Sequence, residues 1–277
     1  MDLRRPCTEN SFFLIAGPCV IESREHALFM AGHLRDLAES RGIPFIFKSS
    51  FDKANRTALS SYRGMSMAQG LDTLAEVRTR LGVPVITDVH ESQQCAPVAA
   101  AVDALQIPAF LCRQTDLLQA AAATGRAVNL KKGQFLAPWD LRHAVDKIRS
   151  VPGHGPLWLT ERGASFGYGN LVVDFQSFPY LRRTGCPVIF DATHSVQKPG
   201  ALGHATGGAR EMIPALARAA ATAVDGFFFE VHDRPDEALS DGPNAMYLDA
   251  FGALLDQLLA IWRAGRAAAL QDPAGRD

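Results

Sequence analysis

Residues 84–131 read PVITDVHESQQCAPVAAAVDALQIPAFLCRQTDLLQAAAATGRAVNLK. Three short apolar runs, Pro84 to Val89, Ala104 to Pro108 and Ala127 to Lys131, have strand character, and helical spacing at Thr115 to Thr124 separates the last two. Strand and helix in alternation imply a parallel sheet, because parallel neighbours need a crossover connection. The same pattern extends outward. Runs at Phe12 to Ala16 and Pro44 to Lys48 precede this stretch, and runs at Leu157 to Thr160, Pro187 to Phe190 and Gly226 to Val231 follow it, making eight. Helical spacing recurs at His26 to Ser40, Met67 to Leu81, Pro138 to Arg149 and Glu211 to Val224. The segment Phe251 to Trp262 reads as a closing helix, with an Ala/Arg-rich tail expected to fray after about residue 264.

Eight such units in 277 residues match an α/β chain folded as one (β/α)8 TIM barrel with a short N-terminal arm. An open doubly wound sheet would more often show a glycine-rich dinucleotide turn after its first strand, and none is present. At 47% hydrophobic and 21% charged residues the chain can bury a sizeable core, which excludes a disordered or collagen-like polymer. With 28 Lys and Arg against 29 Asp and Glu, the formal net charge of −1 argues against a nucleic-acid or anionic-membrane partner. Any anionic ligand must therefore meet a local cluster of cations. Five cysteines without dense spacing suit reduced thiols in a cytoplasmic protein, and no apolar run approaches the roughly 18 residues of a membrane span.

In such barrels the chemistry lies at the carboxyl ends of the strands. The residues there are Cys19 with Glu22, Lys48, Asp88, Gln106, Lys131 with Lys132, Glu161 with Arg162, Asp191 with His194, and Glu230 with His232. Adjacent strand residues point to opposite faces, so only one of each adjacent pair is expected in the pocket. A cationic set, Lys48, Lys53, Arg56, Arg113, Lys131 and Arg162, is expected to converge there and to bind phosphate or carboxylate groups. A second set, Cys19, His194, Glu230 and Asp241, comes from strand ends one, seven and eight, neighbours once a barrel closes. Thiolate, imidazole and carboxylates together suit a borderline divalent ion such as zinc, iron, manganese or cobalt. Cys112 is the reserve thiol, while Cys7, Cys95 and Cys186 read as packing residues. His232 shares a strand face with Glu230 and is a ligand or a support, whereas His26, His33 and His143 fall in helices as surface or packing residues. The GHATGG turn from Gly203 to Gly208 offers backbone N–H groups and the Thr206 hydroxyl to a phosphate.

The segments GPCVIES, FKSSFDKANRT, ITDVHE, LQIPAFLCRQTDLL, NLKKGQF, ERGASFGYGNLVVD, PVIFDATHSVQ, FFFEVH and LSDGPNA, in this order, closely resemble the 3-deoxy-D-manno-octulosonate 8-phosphate synthase family. The resemblance runs from about Phe13 to the closing helix, and KANR and FGYGN are its most specific stretches. It implies a (β/α)8 barrel assembled as a homotetramer. It also implies condensation of phosphoenolpyruvate with D-arabinose 5-phosphate and water, for lipopolysaccharide biosynthesis in Gram-negative bacteria. Under it, Lys131, Arg162, Gln106 and the Ala109 backbone would hold the phosphoenolpyruvate phosphate, and Lys48 and Lys53 would face its carboxylate. Asn55, Arg56, Thr57 and Thr206 would hold the arabinose phosphate, joined by Arg113 from a neighbouring subunit, and Asp88 would contact the sugar. Lys53, Asp88, His194 and Lys131 would be the catalytic set. The family has a metal-dependent class with Cys in the GPCVIES position and a metal-independent class with Asn there; Cys19 is similar to the former, with His194, Glu230 and Asp241 completing the ligands. Two rivals stand beside this reading. A 3-deoxy-D-arabino-heptulosonate 7-phosphate synthase would take erythrose 4-phosphate, but typically carries KPRT where this chain has KANR, so Asn55 argues against it. The other is a non-catalytic sugar-phosphate binding or regulatory barrel.

Overall fold

The computed structural model describes residues 1–56, 58–201 and 206–271, with side chains described through residue 268. Thr57, His204 and the start of the Gly203 to Gly208 turn lie outside the described residues. Eight parallel strands form the barrel: β1 (Phe13–Gly17), β2 (Phe45–Lys48), β3 (Val85–Asp88), β4 (Ala104–Ile107), β5 (Ala127–Lys131), β6 (Leu157–Glu161), β7 (Val188–Asp191) and β8 (Gly226–His232). Each pairs with the next in order, and β1 pairs with β8 from Phe13 opposite Gly226 to Gly17 opposite Glu230, which closes the cylinder. The helices are α1 (Arg24–Glu39), α2 (Met67–Leu81), α3 (Cys95–Ala101), α4 (Thr115–Ala123), α5 (Leu141–Arg149), α6 (Ser177–Arg182), α7 (Ile213–Ala220) and α8 (Leu248–Gln271). The strand bounds fall within one residue of those expected from the apolar runs. Helix α8 spans the closing segment expected at Phe251 to Trp262 and continues to Gln271. Within it, Arg266 donates to Asp225 at 2.5 Å and its guanidinium stacks over the Trp262 ring.

Strand alternation sorts the core into two layers. Outward residues such as Leu14, Phe47, Leu105, Leu130, Phe190 and Phe229 pack beneath the helices. Inward residues, one or two from each strand, fill the barrel itself: Phe13, Ile15, Ile46, Ile86, Ala104, Ala127, Trp158, Ile189 and Phe228. Leu3 and Cys7 of the N-terminal arm pack against this lower layer, and Trp158 Nε1 donates to the Leu3 carbonyl at 3.2 Å. Gly17 is required where β1 meets β2, because a Cβ there would stand 2.0 Å from the Lys48 carbonyl oxygen. Two short antiparallel pairs, Ala164–Ser165 with Leu171–Val172 and Gln197–Lys198 with Gly207–Gly208, follow β6 and β7.

Trp158 is fully buried with its ring 5.6 Å from that of Phe13, so Trp158→Ala empties the floor of the barrel. Urea denaturation is expected to show a loss of about 3–5 kcal/mol. A loss below about 1 kcal/mol would mean that the barrel interior is not packed as described.

Candidate active site

The inward rows turn from apolar to ionic as they rise. Ile46 is followed two residues on by Lys48, Ile86 by Asp88, Ala104 by Gln106, Ile189 by Asp191 and Phe228 by Glu230. Ala127 leads through Asn129 to Lys131, and Trp158 through Thr160 to Arg162. Between the layers Thr160 donates to Asn129 at 2.6 Å and Asn129 donates to Gln106 at 3.2 Å, a polar belt that satisfies itself. The same two-residue period decides the adjacent pairs. Lys131 and Arg162 enter the pocket, while Lys132 and Glu161 point the other way and face each other at 3.5 Å.

These ionic groups are almost entirely withdrawn from water, so they must compensate one another. Lys131 Nζ donates to Asp191 Oδ2 at 2.5 Å and sits 3.8 Å from the centre of the Phe228 ring. His194 Nδ1 lies 2.8 Å from the same carboxylate oxygen. Burial opposes ionising Asp191, but His194 and Lys131 outweigh it and hold its carboxyl well below the ordinary range. Burial lowers the Lys131 pKa, with Lys48 and Arg162 pushing the same way against Asp191. A second knot centres on Ser50, which accepts from Lys48 Nζ at 2.8 Å and offers its hydroxyl to both Asp88 oxygens at 2.8 and 2.9 Å. Lys48 and Lys53 also outweigh burial at Asp88, keeping that carboxyl low.

These residues surround a cavity of about 230 Å³ at the carboxyl end of the strands. Its wall includes Lys48, Lys53, Asn55, Arg56, Asp88, Gln106, Ala109, Lys131, Arg162, His194, Thr206 and Asp241. Five of the six expected cations are therefore together, and Arg113 is not among them. Arg113 is exposed and lines a separate depression with His90 and Glu91, because it lies beyond the short turn Ala109–Leu111 that carries the chain away from β4. Arg162, which lines the cavity, keeps one guanidinium nitrogen, Nη1, buried without a partner among the described residues.

One wall carries side chains that could hold a cation. Cys19, Glu230 and Asp241 each offer a ligand atom within 4.8 Å of the other two. His194 stands beside them, its Nε2 3.4 Å from Glu230 Oε1 and 4.0 Å from Asp241 Oδ2. Both Glu230 oxygens are buried without a hydrogen-bond partner among the described residues, an arrangement that is costly unless a positive group meets them. Lys48 and Lys53 approach Glu230 only to 3.8 and 3.9 Å. Burial and the Glu230 carboxylate push the Cys19 thiol pKa well up, so a ligating cation is what would make a thiolate stable there. Asp241 has a φ of 51°, a left-handed conformation that aspartate tolerates better than most residues. The donor set of sulfur, imidazole and carboxylates therefore fits a borderline divalent ion. His232 does not join this set; it turns to Glu22 and His26 on the rim. Cys112 lies against Gly133, away from the cation wall.

Two contributors, Ser50 and Ser240, are not singled out from sequence, and the role of a third, Asp191, is not seen. Ser50 lies two residues beyond the inward Lys48, so continuing the alternation past the strand end would have found it. Ser240 accepts from Arg56 Nη1 at 2.7 Å and lies 3.0 Å from the Cys19 sulfur, a junction no local pattern announces. Asp191 was noted at a strand end, but its part as the shared anchor of Lys131 and His194 emerges only from the fold. Asp191→Ala would leave buried positive charge uncompensated. Chemical denaturation at neutral pH is expected to show a loss of about 3–5 kcal/mol, whereas an unchanged midpoint would contradict the pairing.

A family model, the DAHP synthetase I family, matches residues 7–262. Among curated proteins, the chain is 59% identical over 251 residues to a 2-dehydro-3-deoxyphosphooctonate aldolase of Cyanothece sp., covering 90% of this chain and 92% of that one. It is 60% identical over 251 residues to the protein of the same name from Azoarcus sp., with 90% of each chain covered. To that of Methylococcus capsulatus it is 56% identical over 263 residues, covering 95% of this chain and 93% of the relative. With its barrel, its cationic cavity and these matches along nearly its whole length, the chain belongs to the DAHP synthetase I family.

Proposed function

We propose that the cavity condenses phosphoenolpyruvate with D-arabinose 5-phosphate and water to give 3-deoxy-D-manno-octulosonate 8-phosphate and inorganic phosphate, a step that supplies lipopolysaccharide synthesis. The observation that carries this reading is the gathering of Lys48, Lys53, Arg56, Lys131 and Arg162 around one cavity in a protein of net charge −1. Two anionic substrates repel each other, and a preorganised ring of buried cations offsets that repulsion while holding both in contact. The relatives at 59 and 60% identity bear a name for this eight-carbon product, which supports the same choice.

In this reading Lys131 and Arg162, with Gln106 and the Ala109 N–H, receive the phosphoenolpyruvate phosphate. Lys131 is suited to it, since burial already weighs against its charge and an arriving phosphate restores the balance. Lys48 and Lys53 face the substrate carboxylate. Asn55, Arg56, Thr57 and Thr206 take the arabinose phosphate, and Asp88, fixed by Ser50, accepts from a sugar hydroxyl. Carbon 3 of the enol attacks the aldehyde, water adds at carbon 2, and phosphate leaves with cleavage of its C–O bond. Lys53, Asp88, His194 and Lys131 are the catalytic set. Lys131 neutralises charge on the departing phosphate, and His194 is held by Asp191 with Nε2 turned to the cation wall. Cys19, His194, Glu230 and Asp241 would hold a zinc, iron, manganese or cobalt ion, which supplies Lewis-acid polarisation or orientation of an oxygen ligand. Arg113, outside the cavity of its own chain, would complete the phosphate arm of a neighbouring one in a homotetramer.

Parallel assays with both aldoses test the substrate: turnover is expected with arabinose 5-phosphate, and a clear preference for erythrose 4-phosphate would reverse the choice. Lys131→Ala and Arg162→Ala are each expected to lower phosphate release by at least about 100-fold with the fold retained, as for loss of a charge-stabilising donor. Wild-type rates in both would exclude this mechanism. Chelation is expected to abolish turnover and added Mn²⁺ or Co²⁺ to restore it. Full activity of metal-stripped protein would place the chain in the metal-independent class.

A further inference from the structure

Outside the cavity, the rim between β8 and α1 carries a second group of metal-ligating side chains. Glu22, His26 and His232 each offer a ligand atom within 4.8 Å of the other two, and the two imidazole rings lie 4.6 Å apart. Strand β8 brings His232 here and the first turn of α1 brings His26, with Ser23 capping that helix by accepting from the His26 N–H at 3.0 Å. His232 is 4% exposed with its Nε2 3.3 Å from Glu22 Oε1, and His26 Nδ1 is buried with no hydrogen-bond partner among the described residues. An unsatisfied buried ring nitrogen is costly in a packed rim.

A single carboxylate addresses the opposite nitrogen of each ring. Asp233 Oδ1 lies 2.9 Å from His26 Nε2 and 3.1 Å from His232 Nδ1. A carboxylate behind an imidazole is the usual support of a metal-bound histidine, since it fixes the ring and leaves the far nitrogen's lone pair for the ion. The Arg234 N–H donates to His232 Nδ1 at 2.9 Å, and the other ring nitrogen, Nε2, faces Glu22 Oε1 at 3.3 Å.

We propose that Glu22, His26 and His232 form a second divalent-cation site, with Asp233 as the supporting carboxylate. Two imidazoles and a carboxylate select a zinc-, cobalt- or nickel-like ion over calcium or magnesium. The site is structural. Glu22 Oε1 also accepts from the Leu239 N–H at 2.8 Å, so an ion here clamps the start of α1 and the end of β8 to the segment that leads into Asp241. This assignment stands independently of the reading of the cavity.

Equilibrium dialysis of the full-length protein against Zn²⁺, followed by elemental analysis, tests it. The wild type is expected to hold about two zinc ions per chain, Cys19→Ala and His26→Leu about one each, and the double variant none. His26→Leu is a mild change on a partly exposed helical face, and Co²⁺ gives it a second readout: the absorption of a cobalt-bound thiolate at Cys19 should persist in His26→Leu and vanish in Cys19→Ala. Zinc content unchanged by His26→Leu, or a Cys19→Ala protein that retains no zinc, overturns the proposal. Should Cys19→Ala lose nothing, the assignment of the cavity wall fails instead, and the two failures are told apart.

Discussion

Closing a parallel sheet into a cylinder leaves each strand only one row of side chains inside, and everything functional here follows from how those rows are written. Low in the barrel they are aromatic and aliphatic; two residues higher they are lysine, aspartate, glutamine and glutamate. Charges so deeply placed have no water to stabilise them, and their mutual attraction is correspondingly strong. The mouth therefore holds itself in position before any ligand arrives. Asp191 fixes Lys131 and His194 at once, and Ser50 fixes Lys48 against Asp88.

The mouth has two ends of different chemistry. Toward β5 and β6 it is a surplus of positive charge, with one Arg162 nitrogen unpartnered among the described residues. Toward β1 and β8 it is a thiol and carboxylates, with both Glu230 oxygens unsatisfied among those residues. An anion suits the first end and a cation the second, and His194 stands between them, 2.8 Å from Asp191 on one side and 3.4 Å from Glu230 on the other. Because His194 is shared, occupancy of either end bears on the orientation of the same ring.

Much of this was legible without coordinates. The apolar runs located all eight strands, because a strand buried on both faces must be continuously apolar, and the residue at each run's end then named the mouth. Alternation correctly parted Lys131 from Lys132 and Arg162 from Glu161. What failed to show was whatever depends on loops or on distant segments meeting. The short antiparallel pairs after β6 and β7 are too brief to leave a period, and Arg113 seemed a member of the cavity only because sequence nearness to β4 hides the turn between them. His26 read as an ordinary helical residue, since nothing local reveals that helix α1 sets it against a histidine more than two hundred positions away.

The anion and cation ends share one mouth. Anomalous diffraction from crystals grown with phosphoenolpyruvate and Mn²⁺ tests it most directly. The expected result is an anomalous peak among Cys19, Glu230 and Asp241, with the substrate phosphate between Lys131 and Arg162. A phosphate bound elsewhere, or no peak at that wall under saturating Mn²⁺, would show that the two ends do not share this mouth.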